Sequence, residues 1–159
     1  MKVAIIFGSK SDQEVMKKAA AALREFGVAY SSHILSAHRA PELLEETLAK
    51  LEADGTEVII AGAGLAAHLP GVIASRTLLP VIAVPIVSGS LGGLDALLSI
   101  VQMPRPVPVA AVGLDNAANA AYLACGILAL KYPDLKHRLL EFRKKMKENS
   151  ARENEGVEL

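Results

Sequence analysis

Five short apolar runs, each followed by a segment with helical periodicity, are the feature that most limits how this chain can fold. The first run is apolar throughout residues 3–7 and ends at Gly8. The remaining runs lie at residues 28–35, 57–61, 81–87 and 107–114, and the one at 28–35 is the least regular because it includes Ser31, Ser32 and His33. Short, wholly apolar runs are typical of strands that are buried on both faces of a parallel sheet. Their alternation with helices therefore predicts an α/β fold with helices on both faces of one sheet.

The connections between these runs limit the topology further. Right-handed crossovers and short connections favour a doubly wound sheet with the flavodoxin-like strand order 2-1-3-4-5. We therefore expect a three-layer α/β/α sandwich with a five-stranded parallel sheet and a C-terminal helix after Pro133. Residues 1–150 are interpreted as a single domain, and residues 151–159 as a polar C-terminal tail.

Local signals predict where two of the helices begin and end. Ser11 and Glu14 match a capping box, which predicts that Ser11 is the N-cap of the first helix. The third helix is expected to run through Ile73 and Leu78 and to end before Pro80.

The composition indicates a chain that buries apolar surface against other subunits. Hydrophobic residues make up 52% of the 159 residues, which is more than a soluble monomer of this size needs. Residues 116–130 are apolar nearly all round, and such a helix should be covered on every side. Both features predict a homo-oligomer. The formal net charge is zero and there is no basic block with interleaved aromatic residues, which argues against a nucleic-acid partner.

The single cysteine and the apolar segments bear on where the protein acts. Cys125 cannot form an internal disulfide and is predicted to be a small buried apolar residue, which fits a reducing, cytoplasmic compartment. Met1 and Lys2 lead directly into the predicted first strand, so no presequence is expected. Because no segment reaches ~18 apolar residues free of charges or loop signals, no membrane partner is expected.

The turn at residues 36–41 places a hydroxyl, an imidazole and a guanidinium side by side, in the sequence Ser-Ala-His-Arg-Ala-Pro. Arg39 is a permanently charged fork that is suited to phosphate. Histidine ordinarily titrates near neutral pH, so His38 can both take and give a proton. With the Ser36 hydroxyl, these side chains indicate an enzyme that acts on a small phosphorylated substrate. A polar loop with a solvated histidine is the alternative.

The turn at residues 8–12, Gly-Ser-Lys-Ser-Asp, precedes the first helix and offers a second polar cluster. Unpaired N–H groups and the positive end of the helix dipole favour an anion there, and Ser9 and Ser11 add hydroxyl donors. Asp12 suits a ribose diol, because a carboxylate accepts hydrogen bonds from two hydroxyls. Helix capping is the alternative role for Ser11 and Asp12, and both roles can coexist.

Two further turns are rich in glycine. Gly62 and Gly64 would let the backbone approach a planar ligand closely, and His68 could hydrogen-bond the ligand or a water, or be structural. The turn at residues 88–93 could be a mobile lid or only a permissive turn. No group of residues has metal-ligand spacing, so no metal is predicted. Because all strand-to-helix turns of a parallel sheet lie at one edge, these four turns should meet there.

Four motifs, at residues 8–12, 36–41, 61–71 and 99–105, together resemble the N5-carboxyaminoimidazole ribonucleotide mutase family of purine biosynthesis. The resemblance extends from residue 3 to the helix that ends near residue 130, with the motifs in the family's order and spacing. It implies that the domain binds and converts a ribonucleotide, moving a carboxylate from N5 to C4 of one imidazole through enclosed CO2. It also implies an octamer that needs no cofactor.

The resemblance further implies roles for individual residues. His38 would be the general acid/base, Ser9, Asp12 and Arg39 would bind the ribonucleotide, and Ser11 would assist. From the positions of their turns, Ser36, Gly64 and His68 are also predicted to contact the substrate. The mutase branch of the family carries Ser-Ala-His-Arg, whereas a branch that uses free CO2 carries Ser-Ala-His-Lys and a different third turn, so Arg39 and His68 favour the mutase. Around Pro106 and residues 114–116 the chain departs from the commoner glycine-containing sequences.

Two other functions stay open on the sequence alone. The first is direct carboxylation of aminoimidazole ribonucleotide with CO2. The second is a flavodoxin-like nucleotide-binding module without chemistry, which would have no need of His38 as a proton shuttle beside Arg39.

Overall fold

A computed structural model describes residues 1–155 and contains one sheet of five parallel strands. The strands are β1 (Lys2–Phe7), β2 (Ala29–Ile34), β3 (Val58–Gly64), β4 (Val81–Ile86) and β5 (Ala110–Ala111). Their order in the sheet is β2-β1-β3-β4-β5, which confirms the predicted flavodoxin-like topology.

Helices cover both faces of the sheet and complete the predicted three layers. The helices are α1 (Gln13–Glu25), α2 (Pro41–Ala53), α3 (Leu69–Ala74), α4 (Leu94–Val101), α5 (Ala117–Leu128) and α6 (Pro133–Asn154). One apolar core lies between the sheet and α1, α5 and the start of α6. The other lies between the sheet and α2, α3 and α4.

The central strands are apolar throughout because their side chains supply both cores in alternation. In β1, Val3 and Ile5 belong to the core under α1 and α5, whereas Ala4 and Ile6 belong to the core under α2 and α3. All four are 0–1% exposed. Side chains of a strand point to opposite faces in turn, so a strand covered by helices on both sides carries no polar position.

The ends of two predicted elements are wrong. The fifth strand is reduced to Ala110–Ala111, because Pro108 removes a backbone donor from the expected run at residues 107–114. Helix α3 ends at Ala74, and Leu78 is fully exposed instead of helical.

The predicted capping box does not form. Ser9, not Ser11, is an N-cap, and its hydroxyl accepts a hydrogen bond from the Ser11 amide at 3.4 Å at the start of a short 3-10 helix, Lys10–Asp12. Helix α1 follows from Gln13 without a side-chain cap. A short 3-10 helix therefore connects the polar turn to α1.

The last two helices expose much apolar surface. In this chain Leu123 of α5 is 40% exposed and Met146 of α6 is 55% exposed, although Leu135 is fully buried. Helix α6 continues to Asn154 and so includes four residues that the sequence assigns to the polar tail, and residues 156–159 lie outside the described residues.

Cys125 is buried as predicted, and burial raises the pKa of its thiol to about 11. A thiol with that pKa stays protonated and unreactive at neutral pH. Within residues 1–155, none of the helices combines the length and the apolar character that a membrane span requires.

Candidate active site

A cavity of about 440 Å³ opens at the carboxyl ends of β1 and β3, where the polar turns of the chain meet. All eight sequence-predicted site residues line it: Ser9, Ser11, Asp12, Ser36, His38, Arg39, Gly64 and His68. Its volume is in the range of small-molecule sites. The topology thus brings three separate turns together, while the role of each side chain remains a prediction.

The first turn presents a hydrogen-bonded row of oxygen atoms along the cavity. The Ser11 hydroxyl lies 3.0 Å from Ser9 Oγ and 3.1 Å from Asp12 Oδ1. Asp12 is only 8% exposed. Burial raises the pKa of the Asp12 carboxyl, and hydrogen bonds from the Ser11 side chain and the Ser9 backbone partly offset that rise. The turn therefore holds a carboxylate that gains from an additional hydrogen-bond donor.

The second turn is tied to the end of β1 by Arg39. One guanidinium nitrogen, Nη2, donates to the Gly8 carbonyl at 3.0 Å, and the Arg39 amide donates to Ser36 Oγ at 3.3 Å. The Arg39 side chain is otherwise exposed on the cavity wall, with further N–H donors available. This geometry places the cation between the first and second turns, where an anionic group of a ligand would meet both.

His38 and His68 lie in direct contact, although they are 30 residues apart. His38 Nε2 and His68 Nδ1 are 2.8 Å apart, and the rings stack with centroids 4.8 Å apart. Because one of these nitrogens must donate and the other accept, the contact requires at least one of them to be unprotonated. The contact therefore fixes the orientation of the two rings on the cavity wall.

The third turn combines a close backbone approach with strained residues. A Cβ added at Gly64 would lie 3.0 Å from the Ser88 Cβ and 3.1 Å from the Ile86 carbonyl oxygen, so a side chain does not fit there. Leu65 and Ala67 have φ of 55° and 39°, the left-handed region that non-glycine residues rarely adopt. Such strain is concentrated at functional sites.

Gly62 does not have the predicted role. It is buried within β3, and a Cβ there would collide with the sulfur of Met16 on α1. Its small size therefore serves helix-to-sheet packing and not an approach to a ligand. Of the predicted lid at residues 88–93, only Ser88 lines the cavity.

The cavity contains the groups that a phosphorylated sugar needs and a pair that can move a proton. Arg39 supplies the positive charge, Asp12 the carboxylate, and His38 and His68 the imidazoles. Within residues 1–155, no cluster of three or more His, Cys, Asp or Glu side chains could hold a metal ion.

Similarities to known proteins agree with this site. Residues 2–149 match the AIR carboxylase family. An N5-carboxyaminoimidazole ribonucleotide mutase from Pyrococcus horikoshii is 61% identical over 145 residues, which are 91% of this chain and 82% of that protein. A protein of the same name from Methanocaldococcus jannaschii is 54% identical over 155 residues, or 98% of this chain and 96% of that protein.

A solved structure agrees over the whole fold. The crystal structure of Treponema denticola PurE superposes with a TM-score of 0.92 and 28% identity, and the match covers 99% of each chain. Sequence and fold therefore lead to one assignment: the chain belongs to the AIR carboxylase family.

Proposed function

We propose that this protein is a mutase of de novo purine biosynthesis, which converts N5-carboxyaminoimidazole ribonucleotide into 4-carboxy-5-aminoimidazole ribonucleotide. Curated relatives that are 54–61% identical over at least 91% of this chain carry the mutase name. The observation that carries the proposal is that His38 and Arg39 line one cavity together with Asp12. That arrangement offers an acid/base group beside groups that hold a phosphorylated ribose.

The binding roles follow from the chemistry of each side chain. Arg39 binds the phosphate through the guanidinium donors that its bond to Gly8 leaves available. Asp12 accepts hydrogen bonds from the ribose hydroxyls, and Ser9 and Ser11 add donors from the same turn. The close approach of Gly64 to Ser88 forms a thin wall beside the imidazole of the substrate.

The reaction moves one carboxylate and one proton. His38, as imidazolium, protonates N5 of the carbamate, and the N5–carbon bond breaks to give CO2 and aminoimidazole ribonucleotide. C4 then attacks the CO2, and neutral His38 removes the C4 proton. The proton balance closes, because the histidine ends in the state in which it began. The contact with His68 orients the His38 ring toward the cavity.

Retention of CO2 is the second requirement of this mechanism. Capture of a dissolved gas is bimolecular, whereas CO2 held against C4 reacts in an effectively unimolecular step. Such confinement can contribute ~7 kcal/mol or more to lowering the barrier. The walls available for it are the third turn and the start of the loop after β4.

Separate supply of the two candidate substrates tests the proposal. Without ATP, we expect rapid formation of the C4-carboxylated product from the N5-carboxylated ribonucleotide, and much slower formation from aminoimidazole ribonucleotide with dissolved CO2 at the same concentration. Product formation is followed by its ultraviolet absorbance. Faster turnover of the second pair would identify direct carboxylation. Tight ligand binding without product from either would identify a binding module.

Replacement of Asp12 by asparagine should separate binding from stability. Loss of the carboxylate is expected to weaken ribonucleotide binding by about tenfold, the lower end for a hydrogen bond to a charged group. Since burial raises the pKa of Asp12 in the folded state, the ionised carboxyl destabilises the fold at pH 7, and this cost is relieved as the pH falls and the group protonates. Asp12→Asn should therefore unfold at a urea concentration no lower than that of the wild type at pH 7.

The pH dependence provides the control for that variant. The stability advantage of Asp12→Asn should shrink as the pH is lowered from 7 to 4, because the raised pKa makes the wild-type carboxyl protonate at a higher pH in the folded than in the unfolded chain. Titration calorimetry measures the affinity, and urea unfolding at both pH values measures the stability. A variant that loses stability at pH 7 and keeps its affinity would show that Asp12 acts mainly in the fold.

The proposal extends to assembly and compartment. We place the protein in the cytoplasm, the compartment that fits a buried, unpaired Cys125. We expect a homo-octamer, which would cover apolar side chains such as Leu98, Leu123 and Leu130, exposed by 47%, 40% and 90% in the single chain. Light scattering of the purified protein measures the number of subunits.

A further inference from the structure

The loop at residues 88–92 leaves and re-enters the fold at one point, which gives it a closed neck. Its neck residues are Val87 and Gly93, and a Cβ added at Gly93 would lie 3.2 Å from Val87 Cγ2. The same added Cβ would lie 2.8 Å from Leu114 Cδ2. Leu114 and Asp115, between β5 and α5, thus lie directly against both ends of the loop.

Asp115 fastens the Val87 end of this neck with two hydrogen bonds. Its carboxylate oxygen Oδ1 accepts from the Val87 amide at 2.9 Å, and its own amide donates to the Pro85 carbonyl at 2.9 Å. The residue has a φ of 53°, which is unfavourable for any side chain other than glycine, asparagine or aspartate. The side-chain bond therefore joins two loops at a left-handed position that aspartate tolerates.

The loop beyond the neck meets the cavity only at Ser88, and its tip is exposed. Ser88 lines the cavity and lies against Gly64, and Gly89 lies against Leu65 of the third turn. Further along, Leu91 is 64% exposed and Gly92 has a φ of 59° with no atom near its Cβ position. An exposed tip on a closed neck can move as a unit while its base stays fixed.

We infer that Asp115 is a positioning residue, which fixes the neck of the 88–92 loop and thereby keeps Ser88 closed over the cavity while CO2 is free. Asp115 itself does not line the cavity, so it acts only through Val87 and Ser88. This role rests on the proposed function, because only a reaction with a released gas needs the closure. Opening of the neck would let the gas exchange with the solvent.

Three variants separate the side-chain bond from the backbone conformation. Asp115→Gly keeps the left-handed conformation and removes the acceptor. Asp115→Asn keeps both, since asparagine tolerates that region and retains an acceptor oxygen. Asp115→Ala loses the acceptor and also disfavours the conformation. If the glycine and asparagine variants have equal thermal midpoints, a difference between them in the measurements below does not reflect global unfolding.

The first measurement is amide hydrogen exchange at residues 87–92, which needs no activity. Loss of a hydrogen bond to a carboxylate is expected to raise the exchange of the Val87 amide by about tenfold in Asp115→Gly. Exchange in Asp115→Asn should stay within about threefold of the wild type, because a neutral acceptor is weaker. Unchanged exchange in Asp115→Gly would overturn the assignment of Asp115 to the neck.

The second measurement is incorporation of labelled carbon from dissolved ¹³CO2 into product that forms from unlabelled substrate. We expect little incorporation by the wild type, about tenfold more by Asp115→Gly and a near-normal amount by Asp115→Asn. Equal incorporation by all three would overturn the role in gas retention even if exchange at Val87 rises. If the wild type makes no product but hydrogen exchange at Val87 rises in Asp115→Gly, both the proposed function and the role in gas retention are contradicted. Asp115 would then have only a structural role in the neck.

Discussion

Asparagine in place of His38 should lower turnover at least ~100-fold, the lower end for loss of one acid/base group, while ribonucleotide binding is retained. Asparagine can form a hydrogen bond to the substrate but cannot carry a proton from C4 to N5. Its amide is close in size to the imidazole, so the cavity keeps its shape. The variant should therefore show a reduced kcat with a dissociation constant for product within about threefold of the wild type.

A second histidine provides the matched control for that experiment. His137 lies exposed on α6 and does not line the cavity. The His137→Asn variant should turn over at the wild-type rate, and both variants should have similar thermal midpoints. A His38→Asn variant with near-normal turnover would remove the proposed acid/base role and shift attention to His68, which lies 2.8 Å away.

The fold could be predicted because its dominant signals are local. Residues 3–7 are apolar at every position, which is typical of a strand covered on both faces, and the structure buries them between two helical layers. The prediction failed where the apolar pattern conflicts with backbone chemistry. The apolar run at residues 107–114 forms only two residues of strand, since Pro108 within it lacks a backbone donor.

The composition of the site could also be predicted, but its contacts could not. A parallel sheet brings the turns after β1, β2 and β3 to one edge whatever their sequence, so the eight residues could be grouped beforehand. Pairings such as His38 with His68 and Asp115 with Val87 depend on distances between distant segments. For the pair of Asp115 with Val87, the sequence offers one local indication: residues 114–116 differ from the glycine-containing sequences that are commoner in the family.

Loss of the guanidinium of Arg39 should have the second largest effect, this time on affinity. Two hydrogen bonds to a charged phosphate contribute about 1.5 kcal/mol each at the lower end, so Arg39→Gln should bind the ribonucleotide ~100-fold more weakly. Arg39→Lys keeps the charge and loses the planar fork, and should weaken binding by about tenfold. Titration calorimetry with product measures both. Lys10→Gln, which removes an exposed cation outside the cavity from the same edge, should change affinity less than about twofold.

The phosphate contact itself can be isolated by changing the ligand as well as the protein. The wild type should bind the nucleoside, which lacks the phosphate, without most of the affinity that Arg39 provides. The Arg39→Gln variant should bind the nucleotide and the nucleoside with almost equal affinity. This double-mutant cycle isolates the coupling between Arg39 and the phosphate, because any effect of the substitution on cavity shape changes the affinity for both ligands and cancels. Equal losses in both proteins would mean that the phosphate lies elsewhere. The main role of Arg39 would then be structural, since its hydrogen bond to the Gly8 carbonyl connects the first and second turns.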